Sequence, residues 1–443
     1  MNSKEEKVLK DMKNHLLNVN IPSDIEMYIK TGIQKGKQKK ISKYKSFKQL
    51  GLIAACLILT LLGSIRFSPT VAAYVGQLPL LDSLVKLVSN DKGLKLALDN
   101  NFIQPLGISD EKEGIRFTVD AMMADESRIL LFYTLSNEGQ VDLAVENILL
   151  KDRNGKPWTN FSISYGNEEE GIIDILLGEG QKTPPELNVE VSLAKNLNNQ
   201  EDVEAPIEKL KSTWTVKVPI SSEDIRDKKE VFSINKTVNV EGQKMHFQKM
   251  TIYPTRIALE IEYDPQNSKK IYSFDDLHLV DKKGNRFSTI INGQLATLLS
   301  DNKIKLFFQS NYFTKPEEIY IEGSSFGALD KDKLEVLVDV ENKELLQAPD
   351  DRLTLENVEK SKEGLVLDFK LIKEDEKHFG VFSSIYTDES GEEYHSHRSG
   401  SSGSGNDHHI QYYIEDIEYS NPIRLNIDYY PTKIKGNVRI KVK

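Results

Sequence analysis

Cysteine is nearly absent from this chain of 443 residues, which contains only Cys56. Cys56 lies inside an apolar run, so the residues after that run have no disulfide and no cysteine-based metal or redox site. Domains in that part must therefore be held together by apolar cores. With 39% hydrophobic and 28% charged residues, the composition is that of a folded protein. The length suggests about three domains.

Charge is missing from the 17 residues 49 to 65, QLGLIAACLILTLLGSI. At about 1.5 Å per residue they would form a helix of roughly 25 Å, enough to cross a bilayer core. Before this run, twelve lysines and five acidic residues give a net charge of +7, so the whole-chain charge of −10 leaves −17 for the rest. No lysine lies between Arg66 and Lys86. The positive-inside rule therefore predicts a transmembrane helix at 49–66, a cytoplasmic N-terminus and an extracellular C-terminus.

Two other interpretations of the apolar run are a buried core helix and a cleaved signal peptide. A core helix leaves the lysine bias unexplained, and 48 residues are too many for the basic head of a signal peptide. Val71, Ala72 and Ala73 nevertheless place small residues where a signal peptidase would cut. Cleavage after Ala73 would release the outer part, whereas the alternative is that these small residues begin the next helix.

Residues 1–48 form the segment that we call the head. The spacing of its apolar residues predicts two short amphipathic helices separated by a break at Pro22. Helices this short bury little surface against each other, so their apolar stripes need a partner. The alternative, a basic tail on anionic lipid, explains the lysines but leaves the stripes unexplained. The predicted partner-binding residues are Val8, Met12, Leu16, Ile25, Tyr28 and Ile29.

Beyond the run, residues 70–106 predict amphipathic helices hinged near Asn90 to Gly93, and the chain then changes to short alternating runs typical of β structure. The predicted fold class is mainly β, with about three tandem immunoglobulin-like β-sandwich domains at 107–222, 229–343 and 350–443. An acidic outer part argues against nucleic-acid binding.

An internal repeat supports three units. Each copy has an aspartate, a glycine three residues later and an aromatic residue three further on, the pattern of a tight turn after a strand. The copies are Asp152-Gly155-Trp158, Asp281-Gly284-Phe287 and Asp388-Gly391-Tyr394. The strands predicted to close the three units are 212–220, 334–340 and 438–442.

No phosphate-binding loop, catalytic carboxylate pair or nucleophile–base set is recognisable, so we expect no enzyme and no cofactor. Gly323 to Gly327 match G-x-S-x-G, but an all-β context favours a loop over a nucleophile elbow. Four histidines flank a glycine-serine run and suit zinc or copper, although polar surroundings also fit a surface loop. These weak metal candidates are His395, His397, His408 and His409.

Four stretches together resemble membrane-anchored anti-sigma factors of Gram-positive bacteria, which partner extracytoplasmic-function sigma factors. They are NVNIPSDIEMYIKTGIQKGKQKK, SPTVAAYVGQLPLLDSLVKL, DKGLKLALDNNFIQ and GIRFTVDAMMADESRILLFYTL. Residues 230 to 345 are similar to the immunoglobulin-like domain that often follows. The resemblance covers about residues 15 to 345, and the lone His15 without cysteine departs from the zinc-containing anti-sigma pattern.

The resemblance implies that the head clamps a sigma factor and that the outer domains sense an unknown envelope ligand. Cleavage near Ala73 by a site-1 protease, and then by an intramembrane protease, would release the sigma factor. A rival hypothesis is a membrane-anchored adhesion protein with no sigma partner. A third is an envelope metal sensor that uses the histidines.

Overall fold

The computed structural model describes residues 79–137, 142–166, 168–178, 180–195, 208–221, 225, 228–288, 290, 296–361, 364–373, 379–404, 406–415 and 418–443. Strands make up 63% of the structure, which confirms the predicted mainly β class. Within these ranges no helix is long and apolar enough to cross a bilayer. The predicted head and transmembrane helix lie outside them.

The first sandwich consists of two antiparallel sheets that share one apolar core. Its strands are β1 (Gln104–Lys112), β2 (Ile115–Asp125), β3 (Arg128–Asn137), β4 (Leu143–Asp152), β5 (Phe161–Tyr165), β6 (Glu170–Leu177), β7 (Glu186–Lys195) and β8 (Glu208–Pro219). The sheet orders are β1-β2-β3-β6-β5 and β4-β7-β8. In β7, Leu187, Val189 and Val191 are buried at every second position, the period of a strand with one face in a core. Trp214 of β8 is buried and donates its indole N–H to the Ile115 carbonyl at 2.9 Å, which ties the two sheets together.

The second sandwich follows the same plan. Its strands are β9 (Glu230–Val240), β10 (Gln243–Ile252), β11 (Ile257–Tyr263), β12 (Lys269–Phe274), β13 (His278–Asp281), β14 (Arg286–Phe287), β15 (Ala296–Ser300), β16 (Lys303–Phe308) and β17 (Ile319–Asp330). One sheet has the order β15-β16-β11-β10-β9, and in the other β12 and β13 pair with β17.

The third sandwich packs the sheet β20-β21-β25-β24 against the sheet β19-β18-β26-β22-β23. Its strands are β18 (Glu335–Asp339), β19 (Glu344–Gln347), β20 (Leu353–Ser361), β21 (Gly364–Ile372), β22 (Phe382–Thr387), β23 (Glu393–His395), β24 (Ser399–Ser404), β25 (Asp407–Glu415) and β26 (Ile423–Ile427).

The closing strands of the second and third sandwiches are exchanged. The strand β27 (Lys433–Lys441), which follows the third sandwich, pairs with β17 and places Val438 in the second core. The strand β18 follows β17 in sequence but pairs with β26, and its Val338 lies in the third core. The expected order was the reverse, with 334–340 in the second unit and 438–442 in the third. A 3₁₀ turn at Lys331–Lys333 leads the chain out of the second sandwich, and the similar apolar patterns of the two strands do not distinguish their positions.

Two chain passages therefore connect the second and third sandwiches, and hydrogen bonds join them. The Ala328 amide donates to the Thr432 carbonyl at 3.1 Å, and the Thr432 hydroxyl donates to the Ala328 carbonyl at 2.5 Å. The Tyr272 hydroxyl donates to the Tyr430 carbonyl on the returning passage. Two linked passages restrict rotation between these sandwiches more than one linker would.

The three predicted aspartate–glycine turns are present and alike. In each, an aspartate Oδ1 accepts from the amide four residues further on, at 2.8 to 3.1 Å. The glycines have φ of +78°, +84° and +86°, a conformation that side-chain-bearing residues rarely adopt. The residues concerned are Asp152 with Gly155, Asp281 with Gly284, and Asp388 with Gly391.

Two helices precede the first sandwich, α1 (Pro79–Val88) and α2 (Lys92–Asp99), with the break where the sequence predicts it. Asp91 caps α2 by accepting from the amides of Gly93 and Leu94 at 2.9 and 3.0 Å. The apolar faces of the helices cover the outer side of β2 and β3, which explains why both strands are buried on two faces. The residues in this layer are Leu84, Val88, Leu94, Ala97, Leu98, Ala121, Met123, Leu130 and Phe132.

The strand exchange predicts which sandwich a core substitution destabilises. In a segment comprising residues 77–443, Val438→Ala removes two methyl groups from the second core at a cost of about 2 kcal/mol. Hydrogen exchange should then accelerate in β10 and β17, while β22 and β26 keep their protection. The matched variant Val338→Ala should do the opposite. Loss of protection in β26 caused by Val438→Ala would contradict the exchanged arrangement.

Candidate functional site

The residues predicted to bind a partner or to be cleaved lie outside the described part of the chain. These are Val8, Met12, Leu16, Ile25, Tyr28, Ile29 and Ala73. Their roles remain predictions from the sequence.

The four candidate histidines are spread over both faces of the third sandwich. His408 is buried, with its Nε2 at 3.1 Å from the Phe379 carbonyl oxygen, whereas His409 on the opposite face of β25 lies 3.4 Å from a Glu356 carboxylate oxygen. His397 is exposed at 2.8 Å from Glu415, and His395 is exposed on β23. The described residues contain no group of three or more side chains able to hold a metal ion.

The G-x-S-x-G stretch lies inside β17, so the expectation of a loop is wrong. The Ser324 hydroxyl donates to Asp276 at 2.6 Å, and the Ser325 hydroxyl donates to Asp275 at 3.0 Å. Both serines therefore fasten the 275–276 turn to the strand, which is a structural role.

The strongest concentration of buried charge lies where the first two sandwiches and the helices meet, a region we call the junction. Arg128, at the start of β3, holds Asp174 of β6 through two parallel hydrogen bonds of 2.7 Å. Their side chains are only 2% and 7% exposed. Burial alone would lower the pKa of Arg128, but the negative charges of Asp174, Asp91 and Asp125 hold it above its usual value.

Asp91 brings the helix pair into this charged region. Burial raises the pKa of the Asp91 carboxyl, and this effect outweighs the two capping amides and the nearby Arg128. The residue that caps α2 is thus electrostatically coupled to the buried pair of the first sandwich.

Two hairpin turns interlock across the junction. The Asp125 carboxylate, at the end of β2, accepts from the amide and hydroxyl of Thr255 at 2.8 and 2.7 Å. In return, Arg256 donates to the hydroxyl and the carbonyl of Ser127 at 3.0 and 2.6 Å. Burial and the neighbouring Arg128 lower the pKa of Arg256 to about 10. The turn β2–β3 and the turn β10–β11 are therefore joined by four hydrogen bonds between buried residues.

The helices also contact the second sandwich directly. A side chain on Gly93 of α2 would place its Cβ only 2.3 Å from the backbone nitrogen of Ser310, so only glycine fits. The Lys92 ammonium lies 4.5 Å from the centre of the Phe287 ring, and Phe102 and Phe313 pack with ring centres 5.6 Å apart. A shift of the second sandwich against the first must therefore disturb the helix pair.

Two segments of the chain match family models. Residues 42–137 match "Domain of unknown function (DUF4179)", and residues 229–346 match "Family of unknown function (DUF5643)". The first match ends with the last residue of β3, so it includes the helix pair and the β2–β3 hairpin on which the helices pack. The second begins just before β9 and takes in β18, which packs in the third sandwich.

No curated protein matches the chain. Among solved structures, one similar chain is "The crystal structure of the conserved domain protein from Bacillus anthracis". It is 15% identical, with 55% of this chain and 84% of that chain covered and a TM-score of 0.37. A score this low supports no conclusion about function.

The sequence analysis did not predict the junction, although the internal repeat contains a pattern that indicates it. Arg128 and Arg256 lie at the start of the equivalent strand in the first and second units, and Gly364 takes that position in the third. A cation that recurs before a buried strand in two units and disappears in a third indicates a contact between those two units.

Removing one partner of the buried pair should destabilise the protein strongly. Asp174→Ala removes the carboxylate that holds the buried Arg128 guanidinium through two hydrogen bonds, and it should lower the free energy of unfolding by about 3 to 5 kcal/mol. Urea unfolding of residues 77–443 measures this change.

The matched control is Glu190→Ala, which breaks the partly exposed pair with Lys151. It should cost about 1 kcal/mol or less. Equal losses for the two variants would show that the buried pair has no special weight.

Proposed function

We propose that this chain is a single-pass membrane anti-sigma factor. The N-terminal helices sequester a sigma factor in the cytoplasm, and an envelope signal releases it by regulated proteolysis. The observation that carries the proposal is the charge-free run between a head of +7 and a remainder of −17. The match to DUF4179, a domain found in anti-sigma-factor-like membrane proteins, supports it.

The junction supplies the link between signal and release in this proposal. The helix α1 begins six residues after the proposed cleavage position at Ala73. Because the helices pack on both sandwiches, a ligand that moves one sandwich against the other frees the chain between the membrane and α1. A site-1 protease then cuts near Ala73, and an intramembrane protease completes the release.

The outer sandwiches are immunoglobulin-like sensing domains in this proposal, the protein is not an enzyme, and it needs no cofactor. Its partners are the sigma factor, the two proteases, the membrane and an envelope ligand. It does not bind nucleic acid directly.

The head is tested by placing a charge on its apolar stripe. In the full-length protein, Leu16→Asp should weaken sigma-factor binding by about 100-fold, because an anchor that enters an apolar groove would then carry a charge. Co-purification from the native host, with proteins identified by mass spectrometry, measures the loss, and transcription from the sigma-dependent promoters should become constitutive.

The matched control is Asn14→Asp, which adds the same charge on the opposite side of the predicted helix. It should leave binding unchanged. A wild-type head that recovers only lipid would favour the rival function, a membrane-anchored binding protein.

The gating role of the helix pair is tested at Gly93. Gly93→Val drives a side chain into the backbone at Ser310 and should undock α2 from the second sandwich. We expect the outer fragment, detected through a C-terminal tag in pulse–chase blots, to appear severalfold faster without any signal. The control Lys95→Ala changes an exposed residue of the same helix and should have no effect. Unchanged cleavage with an undocked α2, as shown by hydrogen exchange, would reject the gate.

A further inference from the structure

A cleft of about 890 Å³ opens between the first and second sandwiches. Its volume is at the upper end of the range for ligand pockets. Among the described residues, five basic and two acidic side chains line it: Lys182, Lys229, Lys249, Arg256 and Lys305, with Glu126 and Glu260. A surplus of positive charge is unusual in a chain whose outer part carries −17.

The floor of the cleft is the outer face of the sheet β15-β16-β11-β10-β9. The strand registers align Lys249, Glu260, Lys305 and Thr297 in one row across four strands. Strand alternation sends the neighbours of these residues, such as Leu259, into the second core. The row is thus held by a rigid sheet.

One carboxylate serves three lysines in this floor. The Glu260 carboxylate is 3.1 Å from the ammonium groups of Lys249 and Lys303 and 3.4 Å from that of Lys305. Burial would raise the pKa of Glu260, but the lysines hold it below its usual range, so this carboxylate stays ionised. One carboxylate thus contacts lysines from three neighbouring positions on β10 and β16.

The facing wall comes from the first sandwich and includes neutral polar groups beside the charged Glu126 and Lys182. The side chains of Asn160 and Gln181 are linked at 3.1 Å, and the Gln181 amide also donates to the Thr159 carbonyl at 3.1 Å. Gly178 lies so close that a Cβ there would be 2.8 Å from the Asn160 carbonyl oxygen. The wall is therefore ordered and offers amide groups to a ligand.

The lysines favour phosphate over carboxylate as the anion. A carboxylate is best held by the two parallel donors of an arginine, whereas lysine binds phosphate as a point charge. Among the described residues, Arg256 is the only arginine that lines the cleft. Its guanidinium is already engaged by Ser127 and stacked at 3.8 Å on Phe307.

We propose that this cleft binds a linear, phosphate-bearing polyanion. The phosphates lie along the lysine row, and the apolar lining, which includes Phe161, Val231 and Phe307, contacts the uncharged links between them. The ligand touches both sandwiches, so its binding fixes their relative position. This inference rests on residues 126 to 307 and holds whichever partner the cytoplasmic head binds.

The test uses residues 77–443. This segment contains every buried apolar cluster of the described chain, since the buried residues of these clusters lie between 84 and 440. Fluorescence anisotropy with labelled inorganic polyphosphate should show saturable binding that weakens with salt. The double variant Lys249→Gln with Lys305→Gln should bind about tenfold more weakly. Its logarithmic salt slope should fall by about one for each lysine removed, since each releases one fewer counterion.

The control Lys282→Gln removes an exposed lysine from the opposite sheet of the same sandwich and should bind as the wild type does. Circular dichroism melts verify that the variants are folded. As a second variant, Glu260→Gln removes the only carboxylate of the row and should tighten binding. Wild-type affinity in the double lysine variant would overturn the cleft as the site. Equal binding of polyglutamate would overturn the phosphate assignment, and full competition by equimolar inorganic phosphate would overturn the linear ligand.

Discussion

The buried carboxylate of Asp125 is the contact on which the arrangement of the first two sandwiches depends. One of its oxygens accepts from the amide and hydroxyl of Ser127, and the other accepts from the amide and hydroxyl of Thr255. A fully buried charge is tolerated only when hydrogen bonds replace its lost water, and here all four come from two turns of different sandwiches. Separating the sandwiches would break two of them and expose the charge. The chain has no cysteine outside residue 56, so this network does part of the work that a disulfide does in disulfide-bonded proteins.

The two boundaries between sandwiches are held in different ways, and the difference decides where the molecule can move. Between the second and third sandwiches, two chain passages cross and are joined by hydrogen bonds, which restricts relative rotation. Between the first and second, the contacts are turns, a helix pair and a single linker, which can rearrange without loss of either core. Any movement between sandwiches should therefore occur at the first boundary. The basic cleft and the helix pair both lie at this boundary.

The sequence predicts local structure well, but it does not predict which strands pair with each other. The aspartate–glycine turns are visible because their glycines must adopt a positive φ, which is a local requirement. The pair α1 and α2 is visible from apolar spacing and from the break before Asp91. The exchange of β18 and β27 is not visible, because Val338 and Val438 fit the same position in either sandwich. The basic cleft is hidden because Lys249 and Lys305 are 56 residues apart in sequence and meet only through strand register.

The strand exchange also determines the order in which the sandwiches can fold. A domain usually folds once its own stretch of chain has been made. Here the second sandwich lacks its closing strand until β27 arrives, about 100 residues after β17 ends. Meanwhile β17 presents an open edge, the kind of surface that invites aggregation or capture by a chaperone. A chain interrupted anywhere in the third sandwich would leave the second one unfinished as well. Ribosomal stalling or proteolytic nicking in the third sandwich would therefore expose the defect one domain upstream, where quality-control factors could bind it.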